Sequence, residues 1–361
     1  MKKSGFIAIA GRPNAGKSTL LNHVLGSKVS IVTPKAQTTR ERVLGIFTEP
    51  QGQMIFIDTP GIHRAKEGGI NEYMMAEVKE ALKDVSAVWY IVDPASASKH
   101  EQPVLDLLRG VKAPVFILMN KMDLTGKTFA VSNIVNFENE LQAACKELGI
   151  DVQGIHPISA LKGKGIDPVL EASWNLLPEG EFYYPDEDQL SDRPTKYFVA
   201  EKVREQLFLQ LGDEIPYCCA IEIDRFDEKV TPPRIEATIH VERDSQKGMV
   251  IGQGGAKIKA IGQAARAEVE EFLGQKVFLG LKVNVLKDWS RDAETLKRLG
   301  YVLPSDKPTQ RSKKKNKPTQ KTPLADTGAR SGEKAGTAAP KVASQVTPKV
   351  SPKVTSTKRP A

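Results

Sequence analysis

The sequence has few cysteines and no long apolar run. Its three cysteines, Cys145, Cys218 and Cys219, include no pair spaced as Cys-x-x-Cys. This argues against a zinc site or a disulfide framework and is typical of a reducing compartment. No apolar stretch approaches the ~20 residues that span a bilayer, and the first one, which ends at Ala10, is too short for a secretory leader. We therefore expect a cytoplasmic protein.

The positive charge of the chain is concentrated at its end. The net charge is +8, yet residues 304–361 hold 14 Lys and Arg against 3 Asp and Glu. This segment has no aromatic residue and is rich in Lys, Pro, Thr, Ser and Ala. It cannot bury enough apolar surface to offset its ordering entropy, so we predict a disordered tail over 304–361. Its spaced lysines are compatible with binding to a polyanion and equally with a solubilising role.

Short apolar runs alternate with amphipathic helices between residues 5 and 177. The strand candidates, at 6–10, 54–58, 88–93, 115–120 and 155–159, are almost entirely apolar. Continuous apolar runs are typical of strands buried on both faces. The pattern predicts an α/β domain over residues 1–177 with a doubly wound, mostly parallel sheet.

A second, smaller domain is predicted after a linker. Prolines and acidic residues cluster at 178–194, which indicates an interdomain linker. In residues 195–303, helices are predicted at 197–211 and 256–272, and strands at 218–226, 234–243 and 277–286. This is an α+β domain.

The first glycine-rich loop matches the phosphate-binding pattern GxxxxGK[ST] between a predicted strand and a predicted helix. In such a loop, backbone N–H groups and the helix N-terminus converge on phosphates. Lys17 would reach the β- and γ-phosphates and Ser18 would bind Mg²⁺. The first domain is therefore predicted to be a P-loop NTPase. The residues expected at the phosphates are Gly11, Arg12, Pro13, Asn14, Ala15, Gly16, Lys17, Ser18 and Thr19.

Two later motifs predict which base is bound. Asn120, Lys121, Met122 and Asp123 follow the predicted strand at 115–120. The Asp123 carboxylate can accept two hydrogen bonds from the Watson–Crick edge of guanine, whereas adenine offers no such pair of donors. This predicts GTP or GDP as the ligand. The segment SAL, which follows a further predicted strand, would add backbone contacts to the base through Ser159, Ala160 and Leu161.

Two segments are predicted to respond to the γ-phosphate. Asp58 would hold Mg²⁺ through water, and the Gly61 N–H would contact the γ-phosphate. The segment KAQTTRER, 35–42, would add a threonine to the Mg²⁺ shell when GTP is bound, and Thr38 and Thr39 are both candidates. The metal ligands are thus predicted among Ser18, Thr39 and Asp58. The catalytic groups are predicted among Lys17, Thr38, Thr39 and Gly61. Further nucleotide contacts are predicted at Thr59, Pro60 and Ile62.

Ile62 occupies the position at which many GTPases carry a glutamine that orients the attacking water. An aliphatic side chain cannot polarise water. This predicts slow intrinsic hydrolysis or activation from elsewhere. His63 is either recruited for this purpose or exposed and idle.

The second glycine-rich loop lies in MVIGQGGAKIKAIG, 249–262. A dinucleotide fingerprint would need glycine at position 257, which is Lys257, and a second P-loop would need GK[ST]. The pattern V-I-G-x-x-G-x-x-I instead predicts a KH domain of type II, whose GxxG turn admits an RNA backbone. Residues 245–267 carry four basic side chains and no acidic one. The expected RNA contacts are Lys247, Gly252, Gln253, Gly254, Gly255, Lys257 and Lys259.

Over residues 5–303 the chain resembles the Era family of bacterial GTPases. The most specific segments are GRPNAGKSTLLN, KAQTTRER, DTPGIH, NKMD, PISALKGKGID and KGMVIGQGGAKIKAIG. The resemblance implies a GTP-hydrolysing switch that binds the 3′ region of 16S rRNA and assists assembly of the 30S ribosomal subunit. It also implies loose association with the inner face of the plasma membrane and a K⁺ ion held with the help of Asn14. Gln253 and Gly254 depart from the lysine that many relatives carry in this turn.

Alternatives remain at this point. A membrane-associated signalling GTPase would use the second domain for protein interaction. An RNA-binding protein with a vestigial nucleotide site is disfavoured by the intact Lys17, Ser18, Asp58, Asn120 and Asp123. We expect a monomer.

Overall fold

The computed structural model describes residues 1–63, 68–96, 98–126, 130–212 and 214–306. The disordered tail predicted over 304–361 lies outside the described residues from position 307 onward. Among the helices in the described part of the chain, none is both long and apolar enough to cross a membrane.

The first domain contains a six-stranded sheet. Its strands are β1 (Lys3–Ala10), β2 (Val43–Glu49), β3 (Gly52–Asp58), β4 (Ala87–Val92), β5 (Val115–Met119) and β6 (Val152–Pro157). They lie in the order β2-β3-β1-β4-β5-β6, and every neighbouring pair is parallel except β2 and β3. The predicted mostly parallel sheet is confirmed, but β2 was not among the predicted strands.

Helices cover both faces of this sheet. They are α1 (Lys17–Leu25), α2 (Gly69–Ala81), α3 (Gln102–Leu108), α4 (Val131–Glu147) and α5 (Asp167–Leu176). Side chains of α2, α3 and α4 join one apolar core, and those of α1 and α5 join another. Strand β4 shows why its sequence is apolar throughout. Val88, Tyr90 and Val92 enter the first core, whereas Trp89 and Ile91 enter the second, because successive side chains point to opposite faces.

The second domain contains a three-stranded sheet in the order β7-β8-β9. Its elements are α6 (Thr195–Gln210), β7 (Ala220–Asp227), β8 (Arg234–Val241), α7 (Asp244–Ile251), α8 (Ala256–Leu273), β9 (Phe278–Val285) and a last short helix, α9 (Ala293–Arg298). Strands β7 and β8 are antiparallel, and β8 and β9 are parallel. This is the α+β arrangement predicted from sequence, with the second glycine-rich loop between α7 and α8.

The segment predicted as a linker, 178–194, packs against the edge of the first sheet. The Leu190 carbonyl accepts a hydrogen bond from the Ile46 N–H at 2.9 Å, and Ser191 Oγ donates to the Leu44 carbonyl at 2.6 Å. Both partners belong to β2, whose outer edge would otherwise present unpaired backbone groups. The segment therefore protects the sheet edge as well as joining the two domains.

Candidate functional site

A cleft of about 390 Å³ opens at the carboxyl ends of the parallel strands. It lies beside β1, where the strand order reverses, which is the usual ligand position in an open α/β sheet. Five separate stretches of the chain line it. The lining residues are Pro13, Asn14, Gly16, Lys17, Ser18, Thr19, Ile31, Val32, Thr33, Pro34, Gln37, Thr38, Thr39, Gly61, Asn120, Lys121, Asp123, Leu124, Ala160 and Leu161.

The first glycine-rich loop runs from β1 into α1 in a conformation that requires glycine. Gly16, with φ of 106°, immediately precedes α1. A Cβ at this position would lie 2.2 Å from Asn120 Nδ2, so any other residue would displace the Asn120 amide. Asn14 also adopts positive φ, and its Nδ2 donates to the Pro34 carbonyl at 3.1 Å.

Lys17 is a buried cation in this loop. Its Nζ donates to the Gly11 carbonyl at 3.2 Å and to the Arg12 carbonyl at 2.9 Å. Burial lowers the pKa of Lys17 to about 8, although the negative charges of Asp58 and Glu101 favour the ammonium form. The ammonium group is therefore poorly compensated and suited to an anionic ligand.

The other loop residues contribute differently. The Arg12 side chain turns away from the cleft lining, and its Nη1 donates to Ser96 Oγ at 2.5 Å. The Ala15 carbonyl accepts from Asn120 Nδ2 at 2.7 Å. Pro13 is in close contact with Gly61, since a Cβ on Gly61 would lie 2.7 Å from Pro13 Cα.

Three side-chain oxygens converge next to Lys17. Ser18 Oγ donates to Asp58 Oδ2 at 2.7 Å and lies 3.1 Å from Thr39 Oγ1. Asp58 is fully buried, and burial raises its pKa despite the nearby charge of Lys17 and the hydrogen bond from Ser18. Among the described residues, no group hydrogen-bonds to Asp58 Oδ1. Carboxylate and hydroxyl oxygens are the ligands that Mg²⁺ prefers, so this set fits the predicted metal.

The two threonines left open by the sequence occupy different environments. Thr39 lies beside Ser18, whereas Thr38 Oγ1 lies 2.8 Å from Thr33 Oγ1 and donates to the Lys35 carbonyl at 2.9 Å. Only the Thr39 hydroxyl is placed with Ser18 and Asp58.

The second part of the cleft is organised by Asn120. Its Oδ1 accepts from the Ala160 N–H at 2.8 Å while its Nδ2 bonds to the first loop, so it ties the two loops together. Ser159 Oγ donates to Asp123 Oδ1 at 2.6 Å. Lys121 adopts positive φ and pairs with Asp93 at 2.7 Å. Met122 contributes its backbone N–H, which donates to the Ile158 carbonyl at 3.1 Å, and its side chain packs on the core.

Several of the predicted nucleotide contacts are buried behind the cleft lining, among them Thr59, Pro60 and Ile62. Thr59 is fully buried, and its Oγ1 donates to the Ile9 carbonyl at 2.8 Å. Ile62 is fully buried in the apolar core, and Pro60 is buried as well. Sequence analysis in turn missed lining residues in the segment 31–34 and at Gln37 and Leu124. These residues lie in or next to the motifs KAQTTRER and NKMD, and this proximity in sequence is the signal that could have found them.

The second glycine-rich loop is an exposed turn of left-handed residues. Gly252, Gly254 and Gly255 have φ of 71°, 57° and 80°. No atom lies within 4 Å of a Cβ built on Gly254, and Gln253 is exposed. Of the basic residues near the loop, Lys259 is exposed, Lys247 is half-buried, and Lys257 Nζ donates to the Gln210 carbonyl at 3.3 Å. The loop thus offers an open backbone edge.

Comparison with known proteins identifies both halves of the chain. A family described as 50S ribosome-binding GTPase matches residues 6–121, and the KH domain family matches residues 214–290. The GTPase Era of Geobacter metallireducens is 45% identical over 303 residues, which cover 83% of this chain and 98% of that relative. The chain belongs to the Era family of GTPases.

Other Era proteins agree with this assignment. Era of Staphylococcus haemolyticus is 40% identical over 309 residues, covering 84% of this chain and 99% of that relative. A crystal structure of Aquifex aeolicus Era bound to GDP·AlF4⁻ superposes with a TM-score of 0.77 at 36% identity, covering 83% of this chain and all of that one. A structure of Era in complex with MgGDPNP and nucleotides 1506–1542 of 16S ribosomal RNA matches with the same score and identity over 84% of this chain and all of that one. The predicted family, the GTPase class and the P-loop domain followed by a KH domain are confirmed.

Proposed function

We propose that this Era-family GTPase is a nucleotide-dependent switch that binds single-stranded RNA of the 3′ region of 16S rRNA and assists assembly of the 30S subunit. The observation that carries the proposal lies in the segment 35–42. Thr39 contacts Ser18 in the nucleotide cleft, and the next residue, Arg40, enters the KH domain. A change at the cleft therefore acts on a segment that is bonded to both domains.

The residues of the cleft have distinct proposed roles. Lys17 binds the β- and γ-phosphates, Gly61 contacts the γ-phosphate through its N–H, and Asp123 selects guanine. Ser18, Thr39 and Asp58 hold Mg²⁺, which supplies positive charge to the phosphate oxygens when it is bound. K⁺ binding at Asn14, a monomeric state, a cytoplasmic location and loose membrane association stay predictions of the sequence and the resemblance.

The KH loop is proposed to hold the RNA backbone. Gly252, Gly254 and Gly255 leave the turn free of side chains, so that phosphates can approach its N–H groups. Gln253, Lys247, Lys257 and Lys259 surround the turn. The Era structure solved with nucleotides of 16S ribosomal RNA supports RNA binding by this family member.

The test is binding of a short RNA with the 16S 3′-end sequence to the full chain at fixed salt. The variant Gly254→Asp places an anionic side chain on the exposed turn and should abolish RNA binding while the affinity for GTP stays unchanged. The matched control is Gly274→Asp, since Gly274 also has positive φ, 66°, and open space around it, at the other end of α8.

The three proteins separate the outcomes. RNA binding lost in Gly254→Asp and kept in Gly274→Asp supports the proposal. RNA binding that survives in Gly254→Asp contradicts the assignment of the loop. Failure of the unsubstituted chain to bind RNA favours the alternative in which the second domain binds a protein.

A further inference from the structure

Ile62 cannot assist hydrolysis directly. Its side chain is fully buried in the apolar core, and its N–H donates to the Gly11 carbonyl at 3.1 Å. The usual glutamine position is therefore turned away from the cleft. If the chain itself supplies a polar group that orients the attacking water, this group lies in another segment.

Two polar side chains meet at the edge of the cleft near Gly61. Gln37 Nε2 lies 2.8 Å from His63 Nε2, and His63 Nδ1 lies 3.0 Å from the Gly61 carbonyl. Because the Gly61 carbonyl can only accept a hydrogen bond, His63 Nδ1 carries the proton. With the proton on Nδ1, His63 Nε2 accepts a hydrogen bond from the Gln37 amide N–H. His63, for which an exposed and idle role was one expectation, is half-buried and bonded at both nitrogens.

These bonds fix the orientation of the Gln37 amide. Its N–H group faces His63, so its Oε1 faces elsewhere, and no donor to Oε1 occurs among the residues that the structure describes. Gln37 itself lines the cleft, as do Lys17, Thr39 and Gly61. Its φ of 56° lies in the left-handed region, which residues other than glycine adopt only where the surroundings impose it.

We propose that Gln37 orients the water that attacks the γ-phosphate and that His63 is a positioning residue that holds the Gln37 amide. Gln37 Oε1 accepts a hydrogen bond from the water. The water oxygen bonds to the γ-phosphorus as the bond from that phosphorus to the bridging oxygen breaks. The electron pair of that bond leaves with GDP, and the water proton passes to the released phosphate. The neutral amide takes up no proton.

The test compares single-turnover hydrolysis with binding. The rate of GTP hydrolysis and the affinity for a non-hydrolysable GTP analogue are measured for Gln37→Ala, His63→Ala and the double variant. Gln37→Asn is included because asparagine tolerates the left-handed backbone. Its side chain is one methylene shorter than that of glutamine, so its amide does not reach the attacking water. Gln153→Ala is the matched control, since Gln153 is an exposed glutamine on β6 that bonds to Asp151.

We expect both Gln37 variants to hydrolyse GTP about tenfold to a hundredfold more slowly, with analogue affinity within about twofold of the unsubstituted chain. His63→Ala should be slowed less, and the double variant should be no slower than Gln37→Ala, because His63 acts through Gln37. Gln153→Ala should behave as the unsubstituted chain.

The opposite results are equally specific. Unchanged hydrolysis in both Gln37 variants, or a loss of affinity as large as the loss of rate, overturns the role of Gln37. A double variant slowed by the product of the two single effects overturns the positioning role of His63. Because the γ-phosphate position is itself proposed above, Lys17→Ala is measured as well: unchanged affinity in that variant contradicts the nucleotide site rather than Gln37.

Discussion

At the scale of single residues, Lys17 holds a poorly compensated positive charge in the cleft. The described part of the chain gives its ammonium only two backbone carbonyls as hydrogen-bond partners. Burial outweighs the attraction of Asp58 and Glu101 and lowers its pKa to about 8. A bound triphosphate would restore the charged form, because an anion favours the ammonium.

Nucleotide affinity should therefore depend on pH with a defined sign. Below about pH 8 Lys17 is protonated in the free protein and no proton needs to be taken up. Above that pH it is neutral, so binding requires proton uptake, and affinity for GTP should fall by up to about tenfold per pH unit. Titration with a fluorescent GTP analogue between pH 7 and 9.5 measures this. Lys17→Arg should flatten the dependence of affinity on pH, since a guanidinium stays charged. An equally flat dependence in the unsubstituted chain would contradict the lowered pKa of Lys17.

Single residues also mark the limit of prediction from sequence. The P-loop, NKMD and DTPG motifs could be placed because each follows a recognisable buried strand. Thr38 and Thr39 could not be told apart, since they are adjacent in a segment without regular structure, where no periodicity fixes which side chain faces the cleft. The pair of Gln37 and His63 was missed for the same reason: its geometry depends on two irregular segments meeting.

At the scale of elements, the strands inside the first sheet were predictable, whereas of its two edge strands β6 was predicted and β2 was not. In strand β2, VLGIFTE, Gly45 divides the large apolar residues into two pairs, whereas β3 and β4 each carry an unbroken run of large apolar side chains. The β2 side chains are only partly buried at Leu44 and from Phe47 to the end of the strand. The packing of 178–194 against β2 could not be predicted either, because its hydrogen bonds join residues more than 140 positions apart. Composition indicates a linker but not the surface on which it lies.

The contact between the segment 35–42 and the KH domain depends on Arg40. It is buried, Nη1 donates to the Cys219 carbonyl at 2.7 Å, and Nη2 donates to the Tyr217 carbonyl at 2.8 Å. Its guanidinium also lies 5.6 Å from the Trp289 ring. Bidentate geometry of this kind cannot be reproduced by lysine.

Arg40→Ala should lower the free energy of unfolding by about 3 kcal/mol, because two buried carbonyls lose charge-assisted hydrogen bonds. Arg40→Lys should recover less than half of this. Urea unfolding followed by tryptophan fluorescence measures the change, with Trp289 reporting on the contact. Arg225→Ala is the control, because its pair with Asp227 is exposed to solvent and should contribute little to the free energy of unfolding. A loss in Arg40→Ala no larger than in the control would mean that this contact is not an energetic link between the domains.

At the scale of the whole molecule, helix α6 is bonded both to the segment 35–42 and to the residue that follows the second glycine-rich loop. Arg204 of α6 donates to the Thr38 carbonyl, and Lys35 donates to the Leu211 carbonyl just beyond the end of α6. Lys257, directly after the KH loop, donates to the Gln210 carbonyl at the same end. One helix terminus is therefore contacted from the nucleotide side and from the proposed RNA side. Such a shared element can be biased by either ligand, which is the physical requirement for coupling.

Coupling through α6 predicts a reciprocal effect. RNA with the 16S 3′-end sequence should bind more tightly to the chain loaded with a non-hydrolysable GTP analogue than to the GDP form, by about 5- to 150-fold. Linkage then requires that the same RNA raise the affinity for the analogue relative to GDP by the same factor. Arg204→Ala should bring both ratios towards one while the chain still binds each ligand, because it removes the bond from α6 to Thr38 without touching either glycine-rich loop. Equal RNA affinity in the two nucleotide states would instead make the cleft and the KH loop independent sites, and the contacts of α6 would then be structural only.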